Sequence, residues 1–184
     1  MGKYDFDQEI DRCASGALKC DALQLLFGDA NLTPLWVADT DFAVCPEISN
    51  ALKQRVDHPI YGYASTPESY WQSIINWLKN RHQFDVAREE LTFVPGVVRG
   101  IAYAINYFSQ PGDKILIQQP VYHPFKKVIE GNGRVVVNNP LRLVDGGYEM
   151  DLEQMRQVVE AERPKMMILC NPHNPVGIQW DADV

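Results

Sequence analysis

From residue 67 onward, apolar positions follow two alternating rhythms. Tyr70, Trp71, Ile74, Ile75 and Leu78 recur at helical spacing over residues 67–84, with Pro67 placed to open the helix. A short apolar run, 91–94, stops at Pro95-Gly96. Apolar residues at 97, 98, 101, 105 and 108 then predict a second buried helical stripe over 97–108. After the turn Pro111-Gly112-Asp113 come a strand core Ile115-Leu116-Ile117 and a helix over 122–130. Val135-Val136-Val137 is the next strand. Residues 151–160 form the next helix, with Asp151 as its cap, and residues 166–169 the last strand. Strands apolar throughout and joined by helices predict an α/β fold: a mainly parallel sheet with crossover helices on both faces.

The opening of the chain lacks these rhythms. Trp36-Val37-Ala38-Asp39-Thr40-Asp41-Phe42 is aromatic and acidic, and a helix runs from Pro46 to residue 56. The expected division is an amino-terminal arm and the start of a small domain over 1–50, then an incomplete large domain over 51–184. At the other end, Ile178-Gln179-Trp180-Asp181 reads as the entry to another helix capped by Asp181. A wound sheet does not normally stop where a crossover begins, so the sequence is expected to be a truncated polypeptide. No internal repeat or low-complexity segment is present.

Composition narrows the function classes. The 184 residues are 46% hydrophobic and 22% charged, enough for a domain with a real core. A net charge of −7 without a basic stripe argues against nucleic-acid or anionic-membrane partners. No apolar run reaches membrane-span length, no signal-peptide stretch opens the chain, and Phe6 stands where a myristoylation signal needs Ser or Thr; the cytoplasm is the expected location. The four cysteines, Cys13, Cys20, Cys45 and Cys170, form no Cys-x-x-Cys pair. Cys170 with His173 makes only two ligands, so no metal site is expected.

The richest stretch for chemistry is residues 166–177. Its apolar run ends in the loop Asn171-Pro172-His173-Asn174-Pro175-Val176-Gly177. Ligands sit at the carboxyl edge of parallel sheets, and each Pro disfavours helix at the Asn before it. Asn171 and Asn174 are therefore expected extended, with their amides projecting. On residues alone, a ligand loop and a plain strand exit both remain open. The same holds elsewhere. Gly96 opens either a phosphate cradle or an ordinary turn into a helix. Tyr122 and Phe125 form either a stacking face or a hydrophobic helix start. Tyr61-Gly62-Tyr63 suits an interface.

Together these segments resemble the fold-type I pyridoxal-phosphate enzymes of the class I/II aminotransferase group. Cys-Asn-Pro-His-Asn-Pro-Val-Gly is similar to that family's Asn-Pro-x-Asn-Pro loop, and Pro95-Gly96-Val97-Val98 to its phosphate segment. Pro120-Val121-Tyr122-His123-Pro124-Phe125 is similar to its Pro-x-Tyr-x-x-Phe, and Tyr61-Gly62-Tyr63 to its (Phe/Tyr)-Gly-Tyr. The stretch from Trp36 to Phe42 resembles the marker of the cystathionine β-lyase (C–S lyase) branch. The resemblance covers nearly the whole chain but only the amino-terminal half of such an enzyme. It departs at Arg99, where many relatives have Pro, and at Thr40, where Met is usual.

The resemblance implies a pyridoxal 5'-phosphate cofactor in a transferase-like large domain. Gly96, Val97 and Val98 would take the phosphate, Tyr122 the ring face and Asn174 the ring's phenolate. Tyr63 would reach the neighbouring site of a homodimer. Ala38, through its backbone, and Asn174 would line the substrate site. His123 is given no role. No catalytic residue is assigned, because the family's cofactor-linked lysine falls beyond residue 184. None of the eight lysines present (3, 19, 53, 79, 114, 126, 127 and 165) has the family's sequence context. The implied activity is β-elimination from cystathionine- or cysteine-type amino acids to thiol, pyruvate and ammonia. A class I/II aminotransferase is the nearest alternative, and an inactive fragment or interaction module that keeps the fold is another. A nucleotide-binding reading lacks Gly-x-Gly-x-x-Gly and Walker patterns.

Overall fold

The computed structural model describes residues 4–181. The chain forms two compact units that meet in sequence after Pro67. The helix opening at Pro46 belongs with the amino-terminal residues.

The first unit contains short helices α1 (Leu18–Asp21), α2 (Leu23–Phe27) and α3 (Pro46–Asp57). Pro46 sits in the first turn of α3, where its missing N–H costs nothing. Among the described residues of this unit, Ala22 and Leu23 are the buried hydrophobic side chains, and Lys19 is buried with them. Order comes from polar contacts instead. Arg12 pairs with both Asp39 and Asp41, and Lys19 Nζ pairs with Asp41 at 2.6 Å. Trp36 Nε1 donates to the Lys19 carbonyl at 3.0 Å, and its ring meets Phe27 edge-on at 5.3 Å.

The second unit runs α4 (Glu68–His82), a 3-10 turn (Arg88–Glu90), α5 (Val97–Phe108), β1 (Lys114–Ile117), α6 (Pro124–Gly131) and β2 (Val135–Asn138). It continues with a hairpin, β3 (Arg142–Val144) and β4 (Gly147–Glu149), then α7 (Leu152–Glu162) and β5 (Met166–Met167). The main sheet has order β2-β1-β5, all parallel, with Ile115 opposite both Val136 and Met166. From β1 the chain crosses one way to β2, then back past β1 to β5. Right-handed crossovers in opposite directions put α6 and α7 on opposite faces.

The core follows from strand alternation. Ile115 and Ile117 point to one face and pack with Ile105 of α5, Phe125 and Ile129 of α6, and Ile168. Leu116 and Val137 turn to the other face and are also buried. At the far end of α5, the Arg134 guanidinium is buried without a carboxylate. It donates to the Ser109 carbonyl at 2.5 Å, the Asn132 carbonyl at 2.5 Å, Asn106 Oδ1 at 3.0 Å and Ser109 Oγ at 3.0 Å. A cation at this end also suits the helix dipole. Asp151 caps α7 by accepting from the Gln154 amide at 2.9 Å, as its position predicts.

Five features differ from expectation. Residues 91–94 form no strand, the last strand pairs only at Met166 and Met167, and the β3–β4 hairpin is additional. The stripe on α4 is buried only at Trp71, where Arg88 stacks with its guanidinium carbon 3.8 Å from the ring centroid; Tyr70 is exposed. On α5 the stripe is open at both ends, Val97 and Phe108. The helix expected after Asp181 lies outside the described residues. No described helix is long and apolar enough to cross a membrane.

Candidate functional site

An open cleft of about 470 Å³ runs along edge strand β5, between it and α5, and reaches the loop that follows the strand. Val97 and Ile101 line it from α5, Phe125 from α6, and Cys170, Asn171 and Pro172 from the loop after β5. Each wall has a local cause. Gly96 lies at φ 107°, a conformation that L side chains rarely adopt, and this turns the chain into α5. No side chain caps the helix. Its first amides therefore point outward with the positive end of the dipole, a natural seat for a phosphate.

Tyr122 follows β1 at the same edge. Its ring is partly exposed and meets Phe125 edge-on at 5.8 Å, so it stands next to the cleft through a residue that lines it. His123 lies beside it at 5.6 Å. Asn174 is exposed, and its side-chain amide has no protein partner among the described residues. Its backbone N–H donates to Cys170 Sγ at 3.3 Å, which fixes the residue over the strand end. Asn171 is used differently: its Oδ1 accepts the Trp180 amide at 3.1 Å, while Trp180 Nε1 donates to the Cys170 carbonyl at 3.0 Å. Of the two Asn residues in the loop, Asn171 has its side-chain oxygen committed to Trp180, whereas Asn174 has neither end of its amide bonded among the described residues.

The expected residues thus divide between the two units. Gly96, Val97, Val98, Tyr122 and Asn174 all belong to the second, at the sheet edge or the opening of α5. Ala38 and Tyr63 belong to the first. Ala38 is exposed between Asp39, which is held by Arg12, and Trp36, held by the Lys19 carbonyl. The ion pairs act on Asp41 as well. Its carboxyl is held below the ordinary range, first by Lys19 and then by Arg12, and the Arg12 guanidinium is pushed up by Asp39 and Asp41. Tyr63 is fully exposed in a stretch without regular secondary structure. Arg99 is exposed on α5.

Three contributors went unassigned in the sequence. Cys170 both lines the cleft and accepts from Asn174. Phe125 forms the cleft wall beneath Tyr122. His173 is buried between two exposed Asn-Pro steps, and burial pushes its imidazole below the usual value. Their residue types carry no signal that separates these roles from plain packing. A larger cleft of about 720 Å³ lies within the first unit, but its one basic lining residue, Arg12, is already committed to Asp39 and Asp41. It is poorly suited to an anionic ligand. Among the described residues no cluster of His, Cys, Asp and Glu could hold a metal ion.

A backbone anion seat at Val97, a partly exposed phenol ring at Tyr122 and an open amide at Asn174 match in kind the phosphate, pyridine face and phenolate of pyridoxal 5'-phosphate, and of the three Val97 lines the cleft. No lysine lines the cleft.

Known proteins resemble the chain over nearly its full extent. The family model described as aminotransferase class I and II matches residues 31–183. Cystathionine beta-lyase PatB of Bacillus subtilis (strain 168) is 39% identical over 179 residues, which cover 97% of this chain and 46% of that protein. Among solved structures, a PLP-bound putative aminotransferase from Clostridium difficile 630 matches at 41% identity with a TM-score of 0.89. Cystalysin from Treponema denticola, whose structure contains a pyridoxal 5'-phosphate cofactor, matches at 34% identity with a TM-score of 0.89. In both cases 98% of this chain covers 46% of the other. The chain thus spans about half the length of these relatives.

Proposed function

The chain belongs to the aminotransferase class I and II family, and on that premise we propose that it supplies the pyridoxal 5'-phosphate cradle of a carbon–sulfur β-lyase. The substrates are cystathionine- or cysteine-type amino acids, and the products thiol, pyruvate and ammonia. One observation supports this reading: the uncapped opening of α5 and the first residues of the Asn-Pro loop, Asn171 and Pro172, line a single cleft beside edge strand β5.

Within it, the amides of Val97 and Val98 bind phosphate, with Gly96 letting the backbone approach. Tyr122 orients the ring by offset stacking, an effect of about 0.5–1.5 kcal/mol beyond area burial. Asn174 donates its amide to the phenolate, supported by the Cys170 thiol behind it. By the family resemblance, the backbone near Ala38 in the first unit is the segment assigned to the substrate carboxylate. When bound, the cofactor withdraws electrons from the substrate's α-carbon, so that the bond from Cβ to sulfur can break. The cleft lining offers no lysine, so this chain alone binds the cofactor without a covalent link. A homodimer, with Tyr63 reaching the partner's site, and a cytoplasmic location belong to the same reading. The full exposure of Tyr63 supports the dimer.

The name of the Clostridium difficile structure favours a second reading, an aminotransferase on the same scaffold. The assay that separates them gives the whole protein cystathionine with no added keto acid. Release of pyruvate and free thiol is the expected result. Turnover only when a keto acid is supplied rejects the lyase in favour of the transferase.

A further inference from the structure

Five buried polar atoms in the second unit have no protein partner among the described residues. They are Nε2 and Oε1 of Gln118, Oδ1 of Asn139, and both ring nitrogens of His173. The three residues are 2%, 0% and 2% exposed. Gln118 and Asn139 come directly after β1 and β2. The Ile117–Asn138 register, continued by a bond from the Asn139 amide to the Ile117 carbonyl at 3.0 Å, sets them side by side. Strand alternation turns both away from the face that α5 and α6 cover. His173 arrives from the loop after β5, and its ring lies against the Gln118 main chain without reaching hydrogen-bond geometry. The Trp180 ring closes the imidazole edge-on at 5.5 Å.

Buried polar groups are almost always paired, and five orphans together at the ends of adjacent strands need a common partner. The set contains both signs: Gln118 can donate and accept, Asn139 Oδ1 accepts, and a neutral imidazole does one of each. An anion is opposed by the acceptors and a cation by the donors. Water, which donates and accepts at once, suits all of them, and a buried water typically makes about three such bonds.

We propose that Gln118, Asn139 and His173 line a sealed polar chamber that holds ordered water beneath the Asn-Pro-His-Asn-Pro loop, and that His173 thereby acts as a positioning residue for Asn174. The second half rests on the cofactor reading above. The backbone transmits the effect. The His173 amide donates to the Ile178 carbonyl at 2.6 Å, and its carbonyl accepts from Gly177 at 2.7 Å. With the ring anchored below and both main-chain groups bonded, the next residue, Asn174, has little freedom to shift its amide.

The experiment has two arms on the unaltered chain and on variants. In histidine nitrogen-15 spectra, the His173 imidazole should be one neutral tautomer whose N–H cross-relaxes with long-lived water. A ring N–H without such a contact, or in rapid exchange with solvent, overturns the chamber. The second arm titrates pyridoxine 5'-phosphate, which keeps the ring, phenol and phosphate but lacks the aldehyde and so needs no lysine. His173→Leu should weaken binding about tenfold, the equivalent of losing about one hydrogen bond. His173→Gln, which returns a donor and an acceptor, should recover most of that loss, with circular dichroism checking that each variant is folded. Equal binding by His173→Leu and the unaltered chain overturns the positioning role. If the unaltered chain shows the water signal but does not bind the probe, the chamber stands, while the cofactor reading and the positioning role fall together.

Discussion

Among the described residues, the unit up to Pro67 buries two hydrophobic side chains and a lysine, whereas the unit from Glu68 closes over four isoleucines with no exposed surface: Ile105, Ile115, Ile117 and Ile129. The first is held by Arg12, Lys19, Asp39 and Asp41 around Trp36, the second by apolar packing on both sheet faces. The difference sets what each responds to. Burying an aliphatic side chain contributes about 1.5–3 kcal/mol and is insensitive to salt. Ion pairs with exposed partners contribute far less and fade with salt and acid. The cleft walls stand on the robust unit, while the segment carrying Ala38 depends on the fragile one.

The largest test of this contrast is Ile117→Ala. Emptying a fully buried site between β1 and α6 should destabilise the second unit by about 2–5 kcal/mol, read as loss of amide-exchange protection in β1 and β2. Unchanged protection there would mean that the isoleucine cluster is not what holds the unit. Next in size is Arg134→Ala, which strips the carbonyls of Ser109 and Asn132 of a buried donor, at a cost of about 1.5–3 kcal/mol by urea midpoint. A loss matching that of Ile117→Ala would show polar closure to count as much as apolar core. The smallest effect is confined to the first unit. Asp41 is depressed in the fold, so its contribution is complete above the ordinary carboxylate value and disappears as pH falls through the lower folded value. Amide shifts over residues 36–42 should therefore move at the acid end, and Asp41→Asn should abolish that step while leaving β1 and β2 unaffected.

The parts of the fold that could be read in advance are those where one short-range rule governs the outcome. The helix over 97–108, the Ile115–Ile117 and Val135–Val137 strands and the Asp151 cap appear in place because helical and strand periods and capping chemistry are local. The β3–β4 hairpin had its signal too. Asp145-Gly146 links Val144 to Gly147, the two-residue turn typical of hairpins, but the flanking strands lack a clean apolar alternation. Residues 91–94 look like a strand because an apolar run has no period that distinguishes pairing from irregular packing. At the site, Gly96, Val97, Tyr122 and Asn174 were visible through motif. Cys170 and His173 were not, since their contributions arise from what the loop folds back upon.

Helix α5 carries a mechanical asymmetry. Arg134 bolts its distal end to the turn after α6, while its proximal end projects into the cleft with no side chain across it. It is a cantilever. In the proposed site, an anion at Val97 would pull on a beam anchored about 16 Å away, at 1.5 Å per residue along its length. Binding as proposed would therefore load a brace that lies at the opposite end of the helix from the ligand.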